Sequence, residues 1–229
     1  TILKAKEIMK CDLFQVYGLT ETAGAITILM PEDHDPEKGK LRSCGKALNS
    51  VEIKVVDDEG NEVKTGDIGE VISKSPLNMK GYWNRPDATE EAIKDGWFYS
   101  GDAGFFDDEG YLYIHDRVKD MIVSGGENIY PAEVENALMS HPEIADAAVI
   151  GVPDDKWGES VKGFVVLQPD SNLDETEIIS YSRTQIAGYK CPKTINFIEA
   201  LPRNPSGKIL RRELREPFWE GKDRMVSGN

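Results

Sequence analysis

The spacing of apolar residues changes along the chain and predicts different elements in different stretches. Residues 2–10 place apolar side chains on one face of a helix, and residues 11–18 (CDLFQVYG) then alternate as a strand does. From Val51 onward, the runs VEIKVVD and GEVISKS alternate in the same way. The stretch over residues 12–116 is therefore predicted to be mostly β structure.

The tetrapeptide DDEG occurs twice, at residues 57–60 and 107–110, each time between alternating apolar runs. Glycine supplies the positive φ angle that a tight hairpin turn requires. The two copies therefore predict two similar hairpins, an interpretation that we prefer to a longer sequence repeat.

Beyond the β-rich part, helix and strand signals are mixed. Pro131 opens the helical pattern PAEVENALMSH, and the capping-box pair Asp174 and Glu177 opens a second helix. The runs ADAAVIGV, KGFVVLQ and TINFIEAL are typical of strands. Together these signals predict a small α+β unit over residues 120–229, with its boundary near residues 116–120.

Composition and charge narrow the classes of function. The 229 residues include 27 Lys plus Arg and 41 Asp plus Glu, and the resulting charge of −14 argues against nucleic acid as a partner. The longest apolar run, Ala147 to Val152, is too short for a transmembrane segment, and no signal-peptide pattern opens the chain.

The cysteines and histidines are scattered, which favours reduced cytosolic thiols and leaves no legible metal cluster. They are Cys11, Cys44, Cys191, His34, His115 and His141. We therefore expect a cytoplasmic protein, while peripheral association with membranes stays open.

The first candidate segment is YGLTE, from Tyr17 to Glu21, where a strand runs into a glycine, a threonine and a carboxylate. A glutamate at a strand end can hold Mg²⁺, because this cation prefers oxygen ligands and often takes one or two carboxylates plus substrate phosphates. The structural alternative is that Thr20 caps a short turn.

The second candidate segment is FYSGD, from Phe98 to Asp102. Its glycine is predicted to let the backbone turn and to present Asp102 beyond a strand. A carboxylate placed in this way can accept both hydroxyls of a ribose. The alternative is a turn aspartate that bonds its own backbone.

The third candidate segment runs from Asp116 to Glu135, where Arg117, Lys119 and Asp120 alternate at the predicted boundary. A glycine pair then precedes the helix that begins at Pro131. A glycine-rich turn lets a ligand approach the backbone closely, and a helix N-terminus favours anions. The alternative is a flexible linker whose charges face solvent.

The fourth candidate segment is LPRNPSGKILRREL, residues 201–214. Residues 120–229 carry a net charge of −6, yet five cations against Glu213 give this region a local charge of +4. These cations are Arg203, Lys208, Arg211, Arg212 and Arg215, and we expect them to form a basic tip that attracts anions. Lys208 is predicted to stand on a loop before a short helix, where an ammonium can stabilise charge on a reacting phosphate. The alternative is a solvated basic loop.

Six segments occur in one order between about residues 12 and 215: YGLTE, GYWNRPDAT, GWFYSGD, DRVKD, SGGENIYPAEVE and NPSGK. Together they resemble the adenylate-forming superfamily, in particular fatty-acyl-CoA synthetases and their 4-coumarate ligase and luciferase relatives. The resemblance implies a ligase that makes an acyl-adenylate from a carboxylic acid and Mg-ATP and transfers the acyl group to coenzyme A. It also implies an α+β fold, in which a small mobile α+β domain follows a distorted β-barrel-like subdomain.

The resemblance implies roles for residues of the β-rich part. Tyr17 and Gly18 would pack around the adenine, and Glu21 would place Mg²⁺. Thr20 and Glu21 are two of the predicted catalytic residues. Asp102 would bind the ribose hydroxyls.

In the boundary region and the α+β unit, Arg117 would also reach the nucleotide, and Lys119 would be a hinge. Lys208, the third predicted catalytic residue, would contact the carboxylate and the α-phosphate during adenylation. The predicted coenzyme A site consists of Ser124, Gly125, Gly126, Glu127 and Trp157. For Trp157, a role in covering the core is an equal alternative.

In this scheme residues 1–116 are the β-rich end of a large N-terminal domain, residues 117–119 are the hinge, and residues 120–229 are the mobile domain. The phosphate loop of the family and most of its acyl pocket are absent from the chain, which begins with Thr1. We therefore expect the C-terminal part of a longer synthetase, inactive alone, that needs its upstream part as a partner. A homodimer stays open.

A fatty acid is the expected substrate, because GYWNRPDAT recurs among the fatty-acyl members. An aryl-acid or 4-coumarate-type ligase, a domain that loads a carrier protein, and a silent nucleotide-binding or interaction module are the alternatives. The joint presence of Glu21, Asp102, Arg117 and Lys208 counts against a silent module.

Overall fold

A computed structural model describes residues 2–221 of the chain. The chain divides into two compact units, Thr1–Val118 (unit 1) and Lys119–Asn229 (unit 2). In the described part the helices are α1 (Ile2–Met9), α2 (Pro86–Ala92), α3 (Pro131–Met139), α4 (Glu175–Gln185) and α5 (Arg211–Trp219). The strands are β1 (Gln15–Leu19), β2 (Gly24–Leu29), β3 (Lys46–Ala47), β4 (Glu52–Val56), β5 (Gly69–Lys74), β6 (Ile93–Lys94), β7 (Trp97–Phe106), β8 (Leu112–Arg117), β9 (Ile122–Ser124), β10 (Glu127–Ile129), β11 (Ile144–Asp154), β12 (Gly158–Leu167) and β13 (Thr194–Phe197).

Unit 1 contains two antiparallel sheets. The smaller sheet has the order β1-β2-β3; in the larger one β5 pairs with β4 and β7, and β7 also pairs with β6 and β8. A backbone bridge between Gly45 and Leu112 connects the sheets into a curled half-barrel. Gly45 has a φ of 88°, and a Cβ there would overlap the carbonyl of Ile28, so only glycine fits this junction.

Both DDEG segments fold into the same kind of turn. In each one the first aspartate accepts the backbone N–H groups two and four positions later, at 2.8–3.1 Å. The glycines, Gly60 and Gly110, have φ angles of 83° and 79°. The predicted turns are therefore confirmed. The second joins β7 directly to β8, whereas a further loop separates the first from β5.

Unit 2 is a five-stranded sheet with helices on both faces. Its order is β10-β9-β12-β11, and β13 runs parallel to β12. Because strand side chains alternate between faces, Val149 and Val165 pack with the buried residues of α3 and α4. On the other face Ile150 and Phe164 pack against Leu214 and Phe218 of α5. The α+β class predicted from the sequence is confirmed.

Charged side chains also hold α5 on unit 2. Arg211 forms a two-pronged contact with Glu135 of α3, at 2.7 and 3.2 Å. Arg215, one turn later, donates to Asp120 at 2.8 Å, and Arg211 lies 3.6 Å from the second oxygen of Asp120. The four side chains are only 13–16% exposed. We call Asp120, Glu135, Arg211 and Arg215 the α5 clasp.

Several features differ from the sequence-based predictions. Asp102 lies inside β7 rather than beyond a strand, because Gly101 takes a positive φ of 69° without ending the strand. The glycine pair at residues 125–126 turns a hairpin between β9 and β10 before α3 begins. Strand β2 and helix α2 were not predicted.

Within residues 2–221, no helix combines the length and apolarity that a bilayer crossing requires.

The α5 clasp predicts a large effect of removing one charge. In the Asp120→Asn variant two buried guanidinium groups lose a carboxylate, so the free energy of unfolding of unit 2 should fall by about 2–4 kcal/mol. Urea denaturation followed by circular dichroism measures this change. Asp155→Asn, at an exposed position, is the matched control and should change stability by less than about 0.5 kcal/mol. Equal stability of the two variants would contradict the role of the clasp.

Candidate functional site

Three of the predicted residues meet at one carboxylate in unit 1. The Tyr17 hydroxyl donates to Asp102 Oδ2 at 2.7 Å, and Arg117 Nε lies 2.9 Å from Asp102 Oδ1. Asp102 and Arg117 are directly paired across β7 and β8, while Tyr17 comes from β1. Asp102 is therefore not a turn aspartate bonded to its own backbone, which was the structural alternative. We call these three residues the carboxylate cluster.

The neighbouring side chains shape the backbone beneath the carboxylate cluster. Ser100 Oγ donates to the Val71 carbonyl at 2.6 Å and accepts the Asp102 N–H at 3.0 Å. The Gly101 N–H donates to Glu70 Oε1 at 2.8 Å. These bonds hold the positive-φ kink at Gly101 and so fix the direction of the Asp102 side chain.

Burial raises the pKa values of two side chains in this part of unit 1, Tyr17 and Glu70. Loss of hydration, and then the negative charge of Asp102, raise the pKa of the Tyr17 phenol. Tyr17 therefore remains a neutral hydrogen-bond donor. Burial is also the main reason why the pKa of Glu70 is raised above its ordinary value of 4.5.

The raised pKa of Glu70 predicts a pH-dependent cost to stability. The folded state holds the Glu70 proton more tightly than the unfolded state, so this group's contribution falls as pH rises from 4.5 upward. Glu70→Gln keeps an acceptor oxygen for Gly101 and removes the charge. We expect the variant to be more stable than the wild type at about pH 7. This difference in stability should shrink toward about pH 4.

Urea denaturation at a series of pH values tests this expectation. Glu52→Gln, at an exposed position of β4, controls for the loss of one carboxylate charge. A Glu70→Gln variant that is less stable than the wild type at about pH 7 would contradict it.

The segment that follows β1 forms a short 3₁₀ turn over Thr20–Thr22. Thr22, rather than Thr20, stabilises this turn: its hydroxyl accepts the Leu19 N–H at 2.9 Å and donates to the Gly24 carbonyl at 2.7 Å. Thr20 is exposed, and its hydroxyl has no partner among residues 2–221. The capping role considered for Thr20 is therefore wrong. A Cβ on Gly18 would overlap Gly24, so this bulge of β1 requires glycine.

Glu21 is half-buried at the same turn, and its carboxylate accepts the Tyr82 hydroxyl at 2.9 Å. No group of three or more potential metal ligands occurs among the described residues. A lone carboxylate fits the way in which proteins hold Mg²⁺ together with a nucleotide, because the phosphates then supply most of the oxygen ligands. The donor set thus suits a shared magnesium ion rather than a metal site built by protein alone.

In unit 2 the predicted coenzyme A residues lie next to one another. Gly125 and Gly126 have φ angles of 63° and 86° and turn the hairpin between Ser124 and Glu127. The Gly125 N–H donates to the Trp157 carbonyl at 2.8 Å. Four positions that are consecutive in sequence and one that is distant therefore form a continuous surface.

The indole of Trp157 covers this hairpin but does not enter the core. It packs on Gly125, lies 4.4 Å from Lys156 Nζ, and is 43% exposed. Asp154 Oδ1 accepts the backbone N–H groups of both Lys156 and Trp157, and these bonds lower the pKa of Asp154. The exposed ring is available for stacking, although its role in binding stays a prediction.

The close packing of Gly125 and Trp157 predicts different results for two glycine substitutions. Gly125→Ala and Gly126→Ala both place alanine at a positive φ, which costs about 1–3 kcal/mol. Only the Cβ of Gly125→Ala also meets the indole, 2.7 Å from its nearest carbon; nothing lies within 4 Å at Gly126. We expect Gly125→Ala to be the less stable variant and to change the near-ultraviolet dichroism of Trp157. An identical spectrum for both variants would contradict this packing.

Lys208 stands on a well-ordered loop that precedes α5. Asn204 Oδ1 accepts the N–H groups of Ser206 and Lys208, and the Asn204 N–H donates to the Lys208 carbonyl. Arg203 donates to the Gly207 carbonyl and to Asp146, both at 2.6 Å. The Lys208 side chain itself is exposed, and no carboxylate lies within ion-pair distance of its Nζ among residues 2–221.

The expectation that five cations form a basic tip is wrong for three of them. Arg203 pairs with Asp146, and Arg211 and Arg215 belong to the α5 clasp. Charge counting along the sequence missed these partners, because the carboxylates come from distant segments. Lys208 and Arg212 are the exposed cations of this group without an ion pair in the described part of the chain.

Lys119 is the first residue of unit 2 and lies in a 3₁₀ turn over Val118–Asp120. The division between the units thus falls within the predicted hinge of residues 117–119. Movement at this point stays a prediction.

Comparison with known proteins gives the family. The profile of the AMP-binding enzymes matches residues 1–83, and that of the AMP-binding enzyme C-terminal domain matches residues 133–208. The chain belongs to the AMP-binding enzymes.

Similar proteins include two curated ligases. A fatty acid–[acyl-carrier-protein] ligase from Streptomyces coeruleorubidus is 44% identical, over 96% of this chain and 42% of the relative. A long-chain-fatty-acid–CoA ligase from Mycobacterium tuberculosis is 45% identical, over 95% of this chain and 42% of the relative. The chain thus spans less than half the length of the curated relatives that it matches.

The solved structures include o-succinylbenzoate CoA synthetase from Bacillus subtilis. Its complex with the acyl-adenylate intermediate has a TM-score of 0.84 and 42% identity, covering 93% of this chain and 43% of that one. Its complex with ATP and a magnesium ion has a TM-score of 0.82 and 41% identity, with the same coverage.

Sequence reasoning missed several residues that shape these candidate sites. Ser100 lies within the predicted FYSGD segment and Tyr82 within GYWNRPDAT, but neither was given a role. Arg203 was counted only as a charge, and Glu70 was not considered. Each acts through a partner that is distant in sequence, so no local pattern identifies its function.

Proposed function

We propose that this chain works within an AMP-forming acid–thiol ligase. In its first step a carboxylate oxygen of the acid attacks the α-phosphorus of ATP, and pyrophosphate leaves. In its second step the thiolate of coenzyme A attacks the acyl carbonyl, and AMP leaves. The carboxylate cluster of Tyr17, Asp102 and Arg117 is the observation that carries this proposal, because it provides a rigid carboxylate for a ribose beside a cation for phosphate.

The nucleotide half of the proposal uses residues of unit 1. Asp102 accepts the ribose hydroxyls, Arg117 faces the nucleotide, and Tyr17 and Gly18 line the adenine. Thr20, whose side chain is exposed, would donate its hydroxyl to a phosphate. Glu21 would hold Mg²⁺, and the bound ion would neutralise part of the phosphate charge.

The acyl half of the proposal uses residues of unit 2. Lys208 has an exposed ammonium without an ion pair among residues 2–221, and this ammonium would stabilise the charge that develops on the carboxylate and α-phosphate oxygens. The hairpin Ser124–Glu127 and the ring of Trp157 would receive coenzyme A. Rotation at Lys119 would exchange these two surfaces between the two steps, so that water is excluded from the mixed anhydride.

A fatty acid is the proposed substrate, supported by the names of two similar ligases. An aryl-acid substrate is the main alternative, and the succinylbenzoate synthetase among the similar structures is one reason to test it. Loading of a carrier protein is a second alternative, and a silent nucleotide-binding module is a third. The remaining part of the protein would supply the rest of the acyl pocket, and a homodimer is compatible with the proposal.

The test uses the intact natural protein that contains this chain. We expect release of AMP that depends on ATP, Mg²⁺ and coenzyme A, with a panel of acids from acetate to palmitate and cinnamate. The preferred acid identifies the substrate class, and replacing coenzyme A by a phosphopantetheinyl carrier distinguishes the acceptor. Nucleotide binding without turnover of any acid or acceptor would favour the silent module.

Lys208→Ala tests the division of labour between the two steps. Loss of a cation that acts on the adenylation transition state should slow acyl-adenylate formation by about 100-fold or more. Thioester formation from supplied acyl-adenylate should stay within about a few-fold of the wild type, as measured in single-turnover assays.

Arg212→Ala is the matched control, because it removes an exposed cation from the same region. It should leave both steps close to wild-type rates. Equal loss of both steps in Lys208→Ala would reject the assigned role.

A further inference from the structure

The segment GYWNRPDAT, residues 81–89, takes no part in the proposed function, yet it reaches the predicted magnesium ligand. Tyr82 Oη donates to Glu21 Oε1 at 2.9 Å, although the two residues are 61 positions apart. The loop formed by residues 79–89 makes a second bond to Glu21, from the Met79 N–H to the Glu21 carbonyl at 2.7 Å. The side chain and the backbone of Glu21 are therefore both held by this loop.

Hydrogen bonds and close packing within the loop restrain the position of Tyr82. The Tyr82 N–H donates to Thr89 Oγ1 at 2.9 Å, and the Thr89 hydroxyl donates to the Arg85 carbonyl at 2.8 Å. Gly81 has a φ of 151°, and a Cβ there would come within 2.7 Å of the Thr89 methyl group. The Thr89 side chain, which belongs to α2, thus bonds the two ends of the segment together. Glycine is required at position 81 because the chain passes close to the Thr89 methyl group there.

Two further contacts close the base of this loop. Arg85 donates to both oxygens of Asp87 at 3.1 Å, and Pro86 begins α2. On the other side, Asn78 Nδ2 donates to the Ser73 carbonyl at the end of β5 at 3.0 Å. Gly81 and the Thr89 hydroxyl therefore restrain the backbone that carries Tyr82, while the Arg85–Asp87 pair is an exposed contact near the start of α2.

We propose that Tyr82 is a positioning residue that orients the Glu21 carboxylate for Mg²⁺ bound with ATP. This inference rests on the proposed function. The phenol hydroxyl engages Oε1 of Glu21 and leaves Oε2 for the cation. A hydrogen-bonded ligand loses less conformational freedom when it binds a metal, and loss of such an outer partner costs about 10- to 100-fold in metal affinity or activity.

Tyr82→Phe in the intact natural protein tests this role, since it removes only the hydroxyl. The probe is α,β-methylene ATP, whose binding is measured by calorimetry over a range of Mg²⁺ concentrations. We expect the Mg²⁺ concentration for half-maximal binding to rise about tenfold, with wild-type nucleotide affinity restored at saturating Mg²⁺. The Mg²⁺ dependence of adenylation should shift in the same direction while kcat at saturating Mg²⁺ changes little.

Three further variants separate orientation from general damage. Tyr99→Phe removes a phenol from β7, where the ring lies against Lys94, and should leave the Mg²⁺ dependence unchanged. Thr89→Val removes the hydroxyl that locks the loop and should reproduce part of the shift. Thr89→Ser keeps that hydroxyl and should behave as the wild type.

The results distinguish this inference from the function on which it rests. A wild-type protein that binds the analogue with Mg²⁺, together with an unchanged Mg²⁺ dependence in Tyr82→Phe, would overturn the positioning role alone. Loss of nucleotide affinity that excess Mg²⁺ does not restore would also overturn it. A wild-type protein that does not bind the nucleotide at any Mg²⁺ concentration would overturn the proposed function and the inference together.

Discussion

The buried carboxylate of Asp102 is the interaction on which the arrangement of unit 1 depends. It is only 7% exposed, and a charge at that depth is costly unless it is paired and hydrogen-bonded. Tyr17 and Arg117 satisfy its two oxygens from opposite sides. Through this one group, β1 of the smaller sheet is tied to β7 and β8 of the larger sheet. The same contacts hold a carboxylate and a guanidinium in fixed positions beside the turn that carries Glu21.

In unit 2, ion pairs neutralise three of the five cations near α5, and Lys208 and Arg212 stay exposed without an ion pair in the described part of the chain. Three arginines around the loop of Lys208 form ion pairs, two of them in the α5 clasp and the third in the Arg203–Asp146 pair. That loop is also closed by the side chain of Asn204. The backbone that carries Lys208 is therefore held by its own hydrogen bonds, while the side chain reaches solvent.

The motifs identified several residues that the structure brings together, although the roles given to them stay proposals. Asp102, Arg117 and Tyr17 were identified and do come together, and Ser124 to Glu127 lie beside Trp157. The residues that hold them in place were not identified. Thr22 rather than Thr20 ties the turn, and Tyr82 reaches Glu21 from a loop that the sequence analysis used only as a marker of the family.

By itself the sequence determined the α+β class, the two repeated turns and the capping box that begins α4. These are local properties: apolar period, a glycine with positive φ, or a carboxylate three residues from its partner. Only the tertiary structure decided which charges are neutralised and which face solvent. The deciding pairs join residues 57 to 95 positions apart, and ion pairing at such separations depends on how strands and helices pack. A count of charges along the chain therefore predicted five cations in a basic tip, whereas the fold leaves Lys208 and Arg212 exposed and unpaired in the described part of the chain.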